Sequence, residues 1–282
     1  MAGSVTDYSD VEYVFEPHSS MTPDVREYLR SLWDRRIFML ELARADLRTA
    51  RSRTALGNLW SVLNPLFLAT IYYFLYTVLR NSPRSGIFLP ILIGDIFFFG
   101  LTTSAISDGG GSIKRSRGLM LNSTFPRALL PVTSVYKSLK EFVPSACVLA
   151  VMFPVVGGKI GPGLLVLPLV FALHVVMNVG IALAVSTYTT LVPDGTNVMN
   201  FVSRILFFAT PIIYPVALLP AGIKPFIAWV PTFPLLASYQ AILSGGTPNA
   251  WLILQTAFWA FALLLVGGRF FIKREREFTM HL

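Results

Sequence analysis

Charge is scarce in this sequence. Asp, Glu, Lys and Arg make up only 13% of the 282 residues, about half the share usual in soluble domains, while 54% are apolar. That excludes an ordinary water-soluble globule. There is one cysteine, Cys147, so neither an intrachain disulfide nor a cysteine metal site can form. With only three histidines and no cluster of acids at ligand spacing, no catalytic set and no metal site can be named. A phosphate-cradling GxxxxGK[ST] loop is also missing, since Gly109-Gly110-Gly111-Ser112-Ile113-Lys114 fails the pattern. If nucleotide powers this protein, another chain binds it. No internal repeat of the kind that marks inverted-repeat transporters is visible. The start lacks a secretory signal: Asp7, Asp10, Glu12 and Glu16 occupy the place of a basic and then apolar leader, and residues 1–21 read as a mobile cytoplasmic tail.

What the sequence has in quantity is apolar length. Mean hydropathy is +0.62, the reading is an all-α integral membrane protein, and the organising stretch is residues 42–67. There Arg44, Arg48, Arg51 and Arg53 precede an uncharged segment, 58–79, long enough to cross a hydrocarbon core of about 30 Å. Cations beside a span stay on the cytoplasmic side, which also explains the formal net charge of +8 without nucleic acid. Ahead of that junction, Thr22-Pro23-Asp24 is a helix start, and Leu29, Trp33, Ile37, Leu40 and Leu47 recur at three- and four-residue spacing. Residues 22–54 are therefore expected to form an amphipathic helix in the cytoplasmic interface, a juxtamembrane stalk being the alternative.

Residues 55–272 are read as a transmembrane domain of six helices. Spans are expected at 58–79, 87–106, 132–156, 164–191, from 198 onward, and 251–271. Between the second and third lies a basic, glycine-rich cytoplasmic loop, 107–131. Segment 211–249 stays apolar but carries Pro211, Pro215, Pro220, Pro225, Pro231 and Pro234, which excludes one continuous helix. Exposed irregular backbone is equally excluded in lipid, so short re-entrant helices at the outer face are expected between spans 5 and 6. This topology leaves only Arg80, Arg84, Lys159 and Lys224 of the 23 Lys and Arg outside, and puts both termini, including the tail 273–282, in the cytoplasm. Asp95 and His174 are the ionisable groups it places deep in the membrane. A packing role is favoured for His174, whereas Asp95 is read either as a structural hydrogen-bond partner or as part of a wet pathway.

Four stretches, in this order, carry a family resemblance. They are Leu56-Gly57-Asn58-Leu59-Trp60 with Leu63-Asn64-Pro65-Leu66 after a basic helix; Gly118-Leu119 followed by Phe125-Pro126-Arg127 and Leu130-Pro131; Thr210-Pro211-Ile212-Ile213-Tyr214-Pro215; and the proline-rich segment before the last span. The sequence resembles the permease subunit of type-2 ABC exporters (ABC-2) that move polysaccharides or lipid-linked glycans such as O-antigen, teichoic acid and galactan. Asp95, in a stretch usually apolar in such permeases, Thr232-Phe233-Pro234 in place of an Asn-Pro, and Gln240 in place of a common arginine depart from the pattern.

The resemblance implies a homodimer around a conduit in the bacterial plasma membrane, two copies of a separate ATPase that binds ATP and Mg, and no cofactor on this chain. It implies ATPase coupling through Lys114, Arg115, Arg117, Phe125, Pro126 and Arg127, together with Arg44 and Arg48. Because sugar hydroxyls need a sheltered path and aromatic faces suit sugar rings, Tyr72, Tyr73 and Tyr76, with Phe97, Phe98 and Phe99, are candidate conduit lining beside Asp95. Pro211, Tyr214 and Pro215 are the candidate outer gate. Architecture alone does not fix the cargo, so a drug or small lipid is the alternative substrate class, and a secondary transporter the alternative mechanism.

Overall fold

The computed structural model describes residues 25–52, 59–80, 88–122, 125–155, 158, 160–214 and 222–281. Among these no strand occurs, as the composition requires. The expected tail 1–21, the helix start at Thr22-Pro23-Asp24, the loop 81–87 and Pro215 lie outside the described residues. The chain begins with α1 (Val25–Asp34) and α2 (Arg36–Ser52), separated by Arg35 where a single helix is expected. Then follow α3 (Trp60–Arg80), α4 (Phe88–Ser104), α5 (Ser112–Arg115), α6 (Arg117–Asn122) and α7 (Leu129–Val155). The second half holds α8 (Leu167–Leu191), α9 (Gly195–Ala209), α10 (Lys224–Ala228), α11 (Thr232–Leu243) and α12 (Ala250–Arg274), the last continued by a 3₁₀ segment, Glu275–Met280.

Four of these rods are long and apolar enough to cross a bilayer: Phe88–Arg115, Leu129–Val155, Leu167–Leu191 and Ala250–Met280. They coincide with the second, third, fourth and sixth expected spans. The first corresponds to α3, whose described apolar stretch is Val62–Leu75. The fifth corresponds to α9, whose 15 residues reach only about 22 Å before Thr210-Pro211 ends the helix. Beyond it the proline-rich stretch is broken, as expected, into α10 and α11. The latter is no surface element: Leu235, Leu236, Tyr239 and Ile242 on it are buried among α4 and α8.

The expected loop 107–131 is largely helical. Residues 105–109 form a π-helical turn that carries α4 onward into α5, so glycines at 109–111 do not interrupt the rod. Packing explains why. A Cβ on Gly109 would lie 2.7 Å from the Ala182 Cβ, and one on Gly110 2.8 Å from Val185 Cγ1. These glycines let the rod press against α8, the use of small residues that helix contacts in lipid favour. Their low helix propensity is overridden by that contact.

The most extensive helix pair is α8 with α12. At Gly180 a Cβ would stand 2.4 Å from the Leu264 amide nitrogen, and at Gly267 2.2 Å from the Gly180 carbonyl oxygen. The two backbones therefore touch. Among the described residues two main cores sit along this pair, beside a small cluster of Ala105, Val135 and Ala182. The larger packs Leu92, Ile96, Phe97 and Phe98 of α4 on Met177, Leu235 and Tyr239. The smaller, at the basic end, gathers Tyr28, Ile113, Met120, Leu130, Phe271 and Phe278 from five separate stretches of the chain.

Candidate functional site

The basic end is tied together by one carboxylate. Glu275, at the start of the 3₁₀ segment, accepts the Tyr28 hydroxyl at 2.7 Å through Oε2 and the backbone N–H of Arg127 at 2.7 Å through Oε1. The Arg127 guanidinium in turn donates to the Glu275 carbonyl, and the Ala128 N–H donates to the Tyr28 hydroxyl at 3.3 Å. Burial, and then the Glu275 charge, push the Tyr28 hydroxyl above the usual phenol range, so it remains a donor. Helix α1, the Phe125-Pro126-Arg127 turn and the end of α12 with its 3₁₀ continuation are thus tied into one unit.

That unit places the expected coupling residues unequally. Phe125 is half-buried, 5.6 Å from the Phe38 ring and packed on the smaller core, and Pro126 supports the start of α7 by accepting the Leu129 N–H at 3.0 Å. Lys114 is half-buried, while Arg115, Arg117, Arg44 and Arg48 are exposed. Arg44 pairs with Glu41. The predicted stripe Leu29, Trp33 and Ile37 points outward, and the body is met instead by Tyr28, Leu32, Leu42 and Ala43. Tyr28 and Glu275 carry no recognisable spacing in the sequence; only the fold brings them together across 247 positions.

Inside the membrane region a second polar cluster holds α11 in place. Asp95 is fully buried; its Oδ2 accepts the Gln240 side-chain amide at 2.6 Å, and the same amide donates to the Pro211 carbonyl at 2.9 Å. His174 is hydrogen-bonded to Thr102 at 2.9 Å and to the Tyr239 hydroxyl at 3.3 Å. Asp95 makes the structural hydrogen bond of the first reading through Oδ2, while its Oδ1 is buried without a partner. Two departures from the family pattern, Asp95 and Gln240, turn out to be partners. The sequence hint was there in both, though nothing in it paired them.

The aromatic candidates divide by what they touch. Phe98 lies flat on Tyr239, with ring centroids 3.7 Å apart, and Phe99 meets the Phe207 ring edge-on at 5.4 Å. Phe97 borders a cavity of about 410 Å³ between α3, α4 and α7, together with Trp60, Asn64, Ser104, Glu141 and Phe142. Tyr72 stacks on Phe207 at 5.6 Å and Tyr73 on Phe88 at 6.5 Å. Tyr76 lies in α3, but its side chain is outside the described set. Of the outer-gate residues, Pro211 is buried, and the Tyr214 hydroxyl donates to the Phe208 carbonyl at 2.6 Å, closing the chain back on the end of α9. Arg204, which hydropathy did not single out, stands exposed on α9 between exposed Phe201 and Phe208. Among the described residues no group of three His, Cys, Asp or Glu could hold a metal.

The described structure thus combines apolar rods, a basic end knotted around Arg127, and a proline-broken segment before the last span. The sequence model described as ABC-2 type transporter matches residues 38–245. The chain belongs to the ABC-2 type transporter family. Within that family it is similar to the O-antigen export system permease protein RfbA of Myxococcus xanthus, 25% identical over 256 residues that cover 89% of this chain and 97% of that protein. Two proteins of the same name from Klebsiella pneumoniae are 25% and 24% identical, each over 86% of this chain and 93% of its own length. This ABC-2 chain is thus a multi-pass membrane protein and a transporter subunit. All of its described coupling candidates, Lys114, Arg115, Arg117, Phe125, Pro126, Arg127, Arg44 and Arg48, lie within the matched region, whereas Tyr28 and Glu275 lie outside it.

Proposed function

We propose that the chain is the transmembrane subunit of an ATP-driven exporter that carries a lipid-linked polysaccharide from the cytoplasm to the outer side of the bacterial plasma membrane. The observation that carries this reading is similarity, along nearly their whole length, to permeases named for O-antigen export. Two copies form the conduit and two ATPase subunits dock beneath, supplying the ATP and Mg chemistry that this sequence has no loop to hold. Both termini face the cytoplasm, because the cations of α2, α5, α6 and the C-terminal segment then obey the positive-inside bias.

In this assembly the ATPase pushes on the exposed cations Arg115 and Arg117, and the push travels through Arg127 to Glu275 and Tyr28. The turn is suited to it: proline fixes the backbone, and guanidinium and carboxylate groups make charge-assisted bonds. The exposed apolar faces of α3 and α9, with Phe74, Ile71, Phe201 and Phe208, are turned to lipid or to the second copy. Arg204 on α9 favours the second copy, since a cation among phenylalanines is held in a membrane only beside protein or water.

The deciding experiment is purification from native membranes, with depletion of the chain in parallel. Recovery of an ATPase at one-to-one ratio and accumulation of cytoplasmic glycan are the expected results. Export of glycan by the chain alone would overturn the reading.

A further inference from the structure

At the basic end a cleft of about 320 Å³ opens between α2, α5 and α7. Its walls include Asp46 of α2, Ser112 and Arg115 of α5, and Thr133, Ser134 and Lys137 from the first turns of α7. Five of those six side chains are hydroxyls or cations; Ser112 and Ser134 already donate to the Gly109 and Pro131 carbonyls, which leaves Arg115, Thr133 and Lys137 to face an anion, and Asp46 stands against them. Two cations and one carboxylate leave the lining with a single net positive charge. Arg115 Nη2 donates to the Asp108 backbone carbonyl, but neither cation is matched by a carboxylate at hydrogen-bond distance. Lys137 Nζ stands 3.8 Å from the Glu141 carboxylate, and Arg115 Nη1 4.0 Å from that of Asp108, both beyond a good hydrogen bond.

The decisive group is Thr133. It is 2% exposed, and its hydroxyl has no hydrogen-bond partner. Hydroxyls elsewhere on the same helix satisfy themselves on the backbone one turn earlier: Ser134 donates to Pro131 and Ser138 to Ser134. Thr133 does not, although leaving a buried hydroxyl unpaired costs about 1–3 kcal/mol. A polar group kept unpaired beside two cations that no carboxylate matches is what a pocket looks like when an anion completes it.

We infer that the cleft between α2, α5 and α7 binds the phosphate group of a lipid. Its place fits that ligand: α7 carries its last charges at Lys140 and Glu141, one turn past Lys137, and is uncharged from there to Val155, so the cleft lies at the headgroup level with its two cations facing a phosphate. Two sources share this chemistry, a bulk anionic phospholipid and an isoprenoid phosphate of the kind that carries glycans. The binding does not depend on the export reading, and it would persist if the chain had no ATPase partner at all.

The test uses the full-length chain in a neutral maltoside detergent, titrated with phosphatidylglycerol or with a polyprenyl monophosphate and read by native mass spectrometry. A saturable single-lipid adduct is expected. Lys137→Gln or Arg115→Gln weakens it about tenfold, the loss of one charge-assisted bond. Thr133→Val weakens it several-fold at most on the same scale, Lys137→Arg restores it, and Asp46→Asn tightens it. Lys140→Gln, which removes an exposed cation from the same helix outside the cleft, leaves it unchanged. Tighter binding of phosphatidylglycerol assigns the site to membrane lipid, and tighter binding of polyprenyl phosphate assigns it to a carrier lipid. No saturable adduct, or equal weakening by Lys140→Gln and Lys137→Gln, overturns the inference. Should Lys137→Gln fail to fold, Thr133→Val and Asp46→Asn, with their opposite expected signs, still decide it.

Discussion

The hydroxyl of Tyr28, near the beginning of the first helix, donates to the carboxylate of Glu275, just past the end of the last, at 2.7 Å. Removing that donor tests whether α1 is fastened to the body by this bond. Tyr28→Phe keeps the ring in the smaller core and deletes the bond to Glu275 together with the longer one accepted from the Ala128 N–H, so docking of α1 should weaken by about 1.5–3 kcal/mol, as for bonds to charged groups. Limited proteolysis before α1 should speed up accordingly, and unchanged protection would mean the ring alone does the fastening. Two groups set the pH dependence: burial raises the Glu275 carboxyl, so its contribution to docking falls as pH rises through the acid range, and the raised Tyr28 hydroxyl leaves docking flat from there to about pH 10 and weakens it above, as the undocked phenol ionises first.

Charge reversal separates the two roles of the basic end. Arg117→Glu alters an exposed side chain and should weaken ATPase association while leaving the stability of the isolated chain within about 0.5 kcal/mol of its original value. Arg127→Glu should lower both, because a second carboxylate then faces Glu275. Normal coupling of ATP hydrolysis to export in both variants would count against the cytoplasmic surface assigned here.

Replacing Gln240 by Leu strands the Asp95 carboxyl and the Pro211 carbonyl together. A loss of about 3 kcal/mol or more is expected from two buried acceptors left unpaired, read as a fall in thermal stability in detergent. Asp95→Asn retains an acceptor for the amide and should lose far less. In a double-mutant cycle, Asp95→Leu combined with Gln240→Leu should lose less than the sum of the single changes, because the second removes a group already stranded by the first. Additive losses would show that the pair is not coupled.

Conduit lining is tested at α3. Tyr72→Ala removes a ring stacked on Phe207, and Tyr76→Ala the next tyrosine one turn on. Glycan export should fall in both, with ATPase assembly intact. Normal export in either variant withdraws that residue from the lining.

Gly180 and Gly268 predict opposite signs. Gly180→Ala drives a methyl into the Leu264 backbone and should destabilise by about 3 kcal/mol, the upper range for overpacking. At Gly268 a Cβ meets nothing within 4 Å, so Gly268→Ala should stabilise by about 0.5–1 kcal/mol through helix propensity. Yield and unfolding temperature of the two variants measure this directly.

Hydropathy made much of the architecture legible, because lipid demands unbroken apolar length and that is visible residue by residue. The rods at α4, α7, α8 and α12 lie where the sequence puts them. Reading failed where packing outweighs local preference. Gly109 and Gly110 signal a loop, yet they sit in a helix because Ala182 and Val185 need the room. The stripe of Leu29, Trp33 and Ile37 was visible by its spacing, but the docking face of the same helix, with Tyr28, depends on partners near residues 127 and 275 that no local pattern announces. Asp95 and Gln240 were each conspicuous alone, and their pairing needed three dimensions.

The bare backbone contact of α8 with α12 has a mechanical consequence. With a carbonyl of one helix seated against a glycine of the other, neither can slide or roll without main chain striking main chain. These two helices therefore act as a keel. The neighbouring rod is laid along this keel through Gly109 and Gly110, so the change of winding at residues 105–109 is clamped against it rather than free to unwind.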